Sequence, residues 1–123
     1  MSAVYIQKLI EVVQGSPERI PLFLPALGVG ETVAVTGVSG LRTRVHSLYI
    51  VAETDASALE VQVKKGTAIL DQKSLPKKTQ ADFDWPTLAT TPWWLDAGED
   101  FAVNLSAAPL KCRVSLMYDQ VAE

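Results

Sequence analysis

Apolar and polar residues alternate with a period of two through most of this chain, and this alternation restricts the fold more than any other feature. The pattern is regular in residues 59–64, and it recurs in Ile20–Leu24, residues 33–35, Phe101–Leu105 and residues 112–118. Successive side chains of a β-strand point to opposite faces, so each such segment has one face for a core and one for solvent. The pattern therefore predicts strands rather than helices.

Turn-forming residues divide these segments at intervals of roughly 8 to 12 residues, which is typical of a sandwich or barrel. Gly28-Val29-Gly30 marks one turn, and Lys65-Gly66 predicts a hairpin. Residues 18–123 are therefore predicted to form one all-β domain, a single antiparallel β-sandwich of the jelly-roll type. Pro21 and Pro25 place the first strand of this domain at a sheet edge, because proline cannot donate to the ladder.

Residues 41–53 form the longest predicted strand, and its two halves differ. Strict alternation puts five of its residues on one face: Arg42, Arg44, His46, Leu48 and Ile50. The first three of these are polar and the last two are apolar. We therefore expect the strand to pass from a half-exposed position into one that is buried on both sides.

Two segments do not follow the strand pattern clearly. Residues 71–91 are polar and contain prolines, which predicts a long loop with one short strand near residues 82–85. In residues 1–17, helical spacing and strand-forming residues occur together, and Gly15-Ser16-Pro17 separates the segment from the sandwich. We expect residues 1–17 to be an N-terminal arm or an extra strand, packed on the domain or on a neighbouring subunit.

Composition and charge exclude several classes of function. Hydrophobic residues make up 48% of the 123 residues and charged residues 20%, as in an ordinary folded domain. A net charge of -3 and a pI near 5.1 argue against nucleic acid as a partner. No segment approaches ~18 uninterrupted apolar residues or resembles a signal peptide, so we expect neither a membrane partner nor secretion. The single cysteine, Cys112, excludes an internal disulfide and is predicted to be a core residue.

The sequence contains no residue set with the spacing of a catalytic or metal site. His46 is the only histidine, so it would have to serve any zinc site or Ser-His-Asp triad, yet the sequence has no C-x-x-C or H-x-x-x-H pair and no serine in a G-x-S-x-G elbow. We therefore expect no catalytic residues, no bound metal and no cofactor, and predict that the protein is not an enzyme. Acidic residues between positions 82 and 100 leave a hydrolase with paired carboxylates as an alternative, although their surroundings are typical of solvated turns.

The three tryptophans, Trp85, Trp93 and Trp94, allow two interpretations. Stacking of their rings on sugars would make the domain a carbohydrate-binding module. Alternatively, at least one closes the end of the sandwich and another packs at a subunit interface, where tryptophan is enriched. Because neighbours on a strand point to opposite faces, Trp93 and Trp94 cannot fill the same core, and one of them is free to face a partner.

Residues 31–118 resemble a group of small structural proteins of tailed phages and prophages in the order of their features. A strand and a glycine turn lead into a long strand that begins with basic residues, VSGLRTRV at residues 38–45. A β-hairpin with alternating valines follows at residues 59–70, and then an aromatic patch that contains proline. The last matching features are WLDAGEDFAVNLS at residues 94–106 and a final strand that ends in Tyr118.

This resemblance implies a small β-sandwich carried in many copies on a virion. The leading hypothesis is a non-enzymatic phage protein that decorates or cements the capsid through contacts between subunits; a tail or fibre component, or a carbohydrate-binding module, is the alternative. Its expected partners are the major capsid protein or another virion protein, and further copies of itself in a homo-oligomer. We expect it on the virion after synthesis in the host cytoplasm. The candidate interface residues are Tyr5, Ile6, Leu9, Ile10, Arg42, Arg44, His46, Trp85, Trp93 and Trp94.

Overall fold

The computed structural model describes residues 19–55, 58–76 and 80–123, which form nine β-strands and one short 3-10 helix. The strands are β1 (Ile20–Leu24), β2 (Gly30–Val35), β3 (Leu41–Glu53), β4 (Ala58–Lys65), β5 (Ala68–Pro76), β6 (Gln80–Asp84), β7 (Trp93–Trp94), β8 (Phe101–Leu105) and β9 (Lys111–Ala122). The 3-10 helix spans Pro86–Ala89. Among these residues, no helix has the length and apolar character needed to cross a membrane.

The predicted arm or extra strand of residues 1–17 lies outside the described residues. The same holds for the candidate interface residues of that segment, which are Tyr5, Ile6, Leu9 and Ile10.

The strands form two antiparallel sheets that pack face to face around one core. Sheet I has the order β1-β9-β3-β6, with β7 also paired to β3, and sheet II has the order β2-β8-β4-β5. The pairs β1–β9, β2–β8, β3–β6 and β4–β5 are nested along the chain, as in a long hairpin folded over on itself. This nesting is the jelly-roll arrangement. The all-β sandwich predicted from the sequence is therefore confirmed.

One hydrophobic core fills the space between the sheets. Sheet I contributes the inward-facing residues of β3 and β9, and sheet II contributes those of β4 and β8. The following core residues are at most 1% exposed: Leu48, Ile50, Leu59, Val61, Val63, Phe101, Val103 and Val114. Burial of apolar surface, at roughly 25 cal/mol per Å², makes this layer the main favourable contribution to folding. Cys112 belongs to the same core at 2% exposure, as predicted, and burial raises the pKa of its thiol to about 11.

Residues 71–91, which were predicted to be a long loop with one short strand, contain more strand than the sequence predicted. β5 continues from Ala68 to Pro76, so the predicted loop was wrong for residues 71–76. The cause is the position of β5 at the edge of sheet II, where Leu75 is buried but most of its other side chains are exposed or half-buried. A half-solvated edge strand keeps polar residues that are typical of loops. The short strand predicted near residues 82–85 corresponds to β6.

Candidate interaction surface

Four of the predicted interface residues come together on the outer face of sheet I. Arg42, Arg44 and His46 lie on β3, and Trp94 lies on β7, where it pairs with Arg44. Asp119 of β9 is the partner of Arg44 on the other side. We call these five residues the Arg–Trp cluster.

Asp119 holds two side chains of β3 in place. Nε and Nη2 of Arg44 donate to its two carboxylate oxygens at 2.9 and 2.7 Å, and Nε2 of His46 lies 2.9 Å from Oδ2. Asp119 is 1% exposed and His46 is 7% exposed, so this ionic contact is largely removed from water. Burial raises the pKa of Asp119, but the hydrogen bonds and charges of Arg44 and His46 outweigh it and hold that pKa below its ordinary value.

A β-bulge in β3 explains why His46 is in this position. Val45 and Ser47 pair with consecutive residues of β9, so His46 between them is an extra residue in the ladder. The bulge shifts the alternation by one position, and Leu48 and Ile50 therefore face the core while the arginines stay outside. The prediction that Leu48 and Ile50 share a face with the arginines was wrong for this reason, and His46 is buried rather than half-exposed.

Trp94 lies on the outside of the sandwich against two arginine side chains. The guanidinium carbons of Arg42 and Arg44 are each 4.9 Å from the centroid of its ring, which is the range of a cation–π contact. Nε of Arg42 also donates to the backbone carbonyl of Leu95 at 3.1 Å. With 38% of its surface exposed, Trp94 is the tryptophan that the structure leaves available to a partner.

The other two tryptophans lie within the sandwich. Trp85 is 7% exposed, its ring is 6.1 Å from that of half-buried Trp93, and Trp93 is 6.1 Å from the ring of Phe101. The indole N–H of Trp85 donates to Asp71 at 2.6 Å, which satisfies the polar atom of the ring. This packing places one ring in the core between the sheets and the other against it. Trp85 is therefore a core residue, and Trp93 packs against the core with part of its surface still accessible.

The acidic residues considered for a hydrolase take part in turns and in contacts between strands. Glu99 accepts a hydrogen bond from the backbone N–H three residues before it, and Asp100 accepts one from the N–H of Gly37, each at 2.6 Å. Asp82 accepts the hydroxyl hydrogen of Tyr49 at 2.8 Å, and this bond is the main reason why the pKa of Tyr49 is raised. In the part of the chain that the structure describes, no three His, Cys, Asp or Glu side chains are grouped to hold a metal ion.

A shallow apolar groove lies on the same outer face, further along β3. It has a volume of about 290 Å³ and is lined by Phe23, Tyr49, Val51, Arg113 and Ser115. Phe23 of β1 and Tyr49 of β3 both pair with Ser115 of β9, so a small side chain separates two aromatic ones. Phe23 is 59% exposed and Tyr49 is 41% exposed. We call this surface the Phe–Tyr groove.

Sequence reasoning missed both Asp119 and the Phe–Tyr groove. The local signal for the groove is that Phe23 and Tyr49 are large aromatic residues at positions that alternate with the core-facing residues of their strands. Exposed apolar groups that are contiguous in space mark interaction sites, but their contiguity depends on which strands are neighbours. That information is in the pairing of β1 and β3 with β9 rather than in any one segment.

Comparison with known proteins gives structural likenesses without a family. No family model matches the chain, and no curated protein matches it. The chain is similar to a chain from the disulfide-linked pili of Bacillus endospore appendages (10% identity, 85% of this chain and 87% of that chain, TM-score 0.45). It is also similar to the TNF protein Eiger of S. frugiperda (11%, 85% and 95%, TM-score 0.45) and to the coat protein of Tobacco streak virus (11%, 85% and 86%, TM-score 0.43). At these identities and TM-scores, the likenesses support no inference about function.

Proposed function

We propose that this chain is a non-enzymatic structural protein of a phage virion, which decorates or cements the capsid by binding across subunit boundaries. The resemblance of residues 31–118 to small phage structural proteins supports the virion role. The observation that carries the proposal is the Arg–Trp cluster, in which an exposed indole is held against two arginine side chains on the outside of a closed sandwich.

The Arg–Trp cluster has the composition of an anchor point in a protein–protein interface. Tryptophan and arginine are enriched among the residues whose loss weakens binding most. Arg44 is fixed by its two hydrogen bonds to Asp119, and Arg42 by its hydrogen bond to the carbonyl of Leu95. Side chains that are already ordered lose little entropy on docking, so the cluster is prepared for a partner.

The charges of the cluster favour a capsid surface that carries carboxylates. Arg44 is neutralised by Asp119 at 2.7 Å, whereas Arg42 forms no ion pair within the described residues. The guanidinium N–H groups of Arg42 that Leu95 does not use can donate to an acidic side chain of the capsid protein. Arg42, which has no ion pair among the described residues, therefore supplies a charged contact beside the apolar contact of exposed Trp94.

Binding to capsids tests the proposal. Purified protein should co-sediment with expanded capsids that lack it, and should saturate at a fixed number of copies per capsid subunit. Replacing Trp94 by alanine should weaken binding at least about tenfold, because a central interface tryptophan contributes about 2 kcal/mol or more.

The matched control is Ile69→Ala, which removes an exposed apolar side chain from sheet II and should leave capsid binding unchanged. Circular dichroism and thermal denaturation of both variants show that each is folded. Wild-type protein that never adds to capsids would contradict the virion role. Capsid binding by Trp94→Ala at wild-type strength would show that the Arg–Trp cluster is not the contact.

A further inference from the structure

We propose that the Phe–Tyr groove binds a second copy of this chain, and that two copies pack the outer faces of sheet I together around a two-fold axis parallel to β3. The contact would be centred on Tyr49 and Val51, on the other side of the β3 bulge from Arg42 and Arg44. Tyr49 and Arg44 are separated by about 15 Å along the strand, at the usual rise per residue. The inference therefore does not depend on the capsid role.

One row of residues across sheet I makes this surface complementary to itself. Val51 of β3 pairs with Arg113 of β9 on one side and with Asp82 of β6 on the other. β9 and β6 flank β3, so a two-fold axis along β3 places β9 of one copy opposite β6 of the other. Arg113 of each copy then faces Asp82 of its partner, and the two Val51 side chains meet at the axis. Such an isologous contact forms each charge pair twice.

The two charges do not neutralise each other within one copy. Neighbouring strands lie about 4.8 Å apart, so Arg113 and Asp82 are separated by two strand spacings, or ~10 Å. In residues 19–55, 58–76 and 80–123, no carboxylate forms an ion pair with Arg113. Packed sheets are also about 10 Å apart, a distance that an arginine and an aspartate can span together. A second copy would therefore provide Arg113 with a counter-charge.

The adjoining row supplies the apolar part of the contact. Tyr49, at 41% exposure, would meet its symmetry mate at the axis, and Phe23, at 59% exposure, would cover the rim beyond Ser115. The sheet face measures only ~20 Å on each side. The interface is therefore at the small end of the range for specific contacts, and we expect a dimer that dissociates on dilution.

Charge exchange between two variants tests this contact. Sedimentation velocity of the full chain should show a monomer–dimer equilibrium. Arg113→Asp and Asp82→Arg should each raise the dissociation constant at least about tenfold, because like charges then face each other. An equimolar mixture of the two variants should dimerise again, since each variant offers the charge that the other lacks. Rearrangement within one chain cannot produce this recovery.

Ser115→Tyr places a large side chain at an exposed position on the floor of the groove and should also prevent dimerisation. The control is Ile69→Ala on sheet II, which should dimerise as the wild type does. Circular dichroism confirms that each variant is folded. A wild type that stays monomeric at its highest soluble concentration, an Arg113→Asp variant that dimerises normally, or a mixture that remains monomeric would each overturn the proposal. Capsid co-sedimentation of the same variants separates this result from the proposed virion role.

Discussion

Asp119 lies on the outer face of a sheet, yet it is 1% exposed because Arg44 and His46 cover it. The carboxylate accepts hydrogen bonds from two side chains that would otherwise be left with unsatisfied donors near the sheet. Asp119→Asn keeps the shape of the side chain but removes its charge. We expect this change to lower the free energy of unfolding by about 2–3 kcal/mol, as measured by urea denaturation at neutral pH.

The pH dependence of stability provides a second measurement on the same residue. The pKa of Asp119 is lower in the folded chain than in the unfolded one, so the ionised carboxylate stabilises the fold. This contribution is complete above the unfolded value of about 3.9 and is lost as the pH falls from there through the folded pKa. The difference in unfolding free energy between wild type and Asp119→Asn should therefore shrink below about pH 4.

The matched control is Asp84→Asn, which neutralises an exposed carboxylate on β6. It should change stability little at any pH, because exposed charges on a surface contribute little. A difference between wild type and Asp119→Asn that is the same at pH 7 as in acid would show that the charge of Asp119 does not stabilise the fold.

The bulge in β3 determines which side chains of that strand reach the core. Deleting His46 leaves the residues on both sides with the β9 partners they already have, so Leu48 still faces inward. We expect this deletion variant to fold, with a loss of about 1–3 kcal/mol for the missing hydrogen bond to Asp119. Circular dichroism and thermal denaturation measure both outcomes.

Deleting Tyr49 instead is the matched control, because the ladder around it is regular. Removal of one residue there turns the following or the preceding core residues to the wrong face, and we expect the fold to be lost. Equal stability of the two deletion variants, or an unfolded variant without His46, would contradict this account of the bulge.

β3 also shows how much of the fold and of the site was predictable. Its bounds, Leu41–Glu53, follow from alternation between two turns, which are local signals. The bulge was not predictable, because an extra residue is visible only against a partner strand. The arginines and Trp94 stood out by residue type, but Arg44 and Asp119 are 75 residues apart in sequence. Their contact depends on the central position of β9 in sheet I, which no single segment encodes.

The nested pairing makes the whole molecule depend on contacts between distant segments. Among the described strands, β4 and β5 alone form a local hairpin, whereas β1 pairs with β9 from the other end of the described chain. Closing such contacts requires large losses of chain entropy before burial compensates them. We therefore expect the sheets to form and separate in one cooperative transition rather than strand by strand.

Cys112 allows this cooperativity to be measured. It lies on β9 between β1 and β3, is 2% exposed, and has a pKa of about 11, so the folded thiol is both inaccessible and protonated. A thiol reagent should modify it at least about a thousandfold more slowly than in unfolded chain, because exposure requires global unfolding. The free energy of opening calculated from this rate should fall with urea concentration with the same slope as the free energy of global unfolding. The control is the double variant Cys112→Ala, Ser74→Cys, whose thiol lies at an exposed position of β5. It should react as fast as a thiol in unfolded chain, because no unfolding is needed to expose it. Fast modification of Cys112 that urea does not change would mean that β9 opens without the rest of the sandwich.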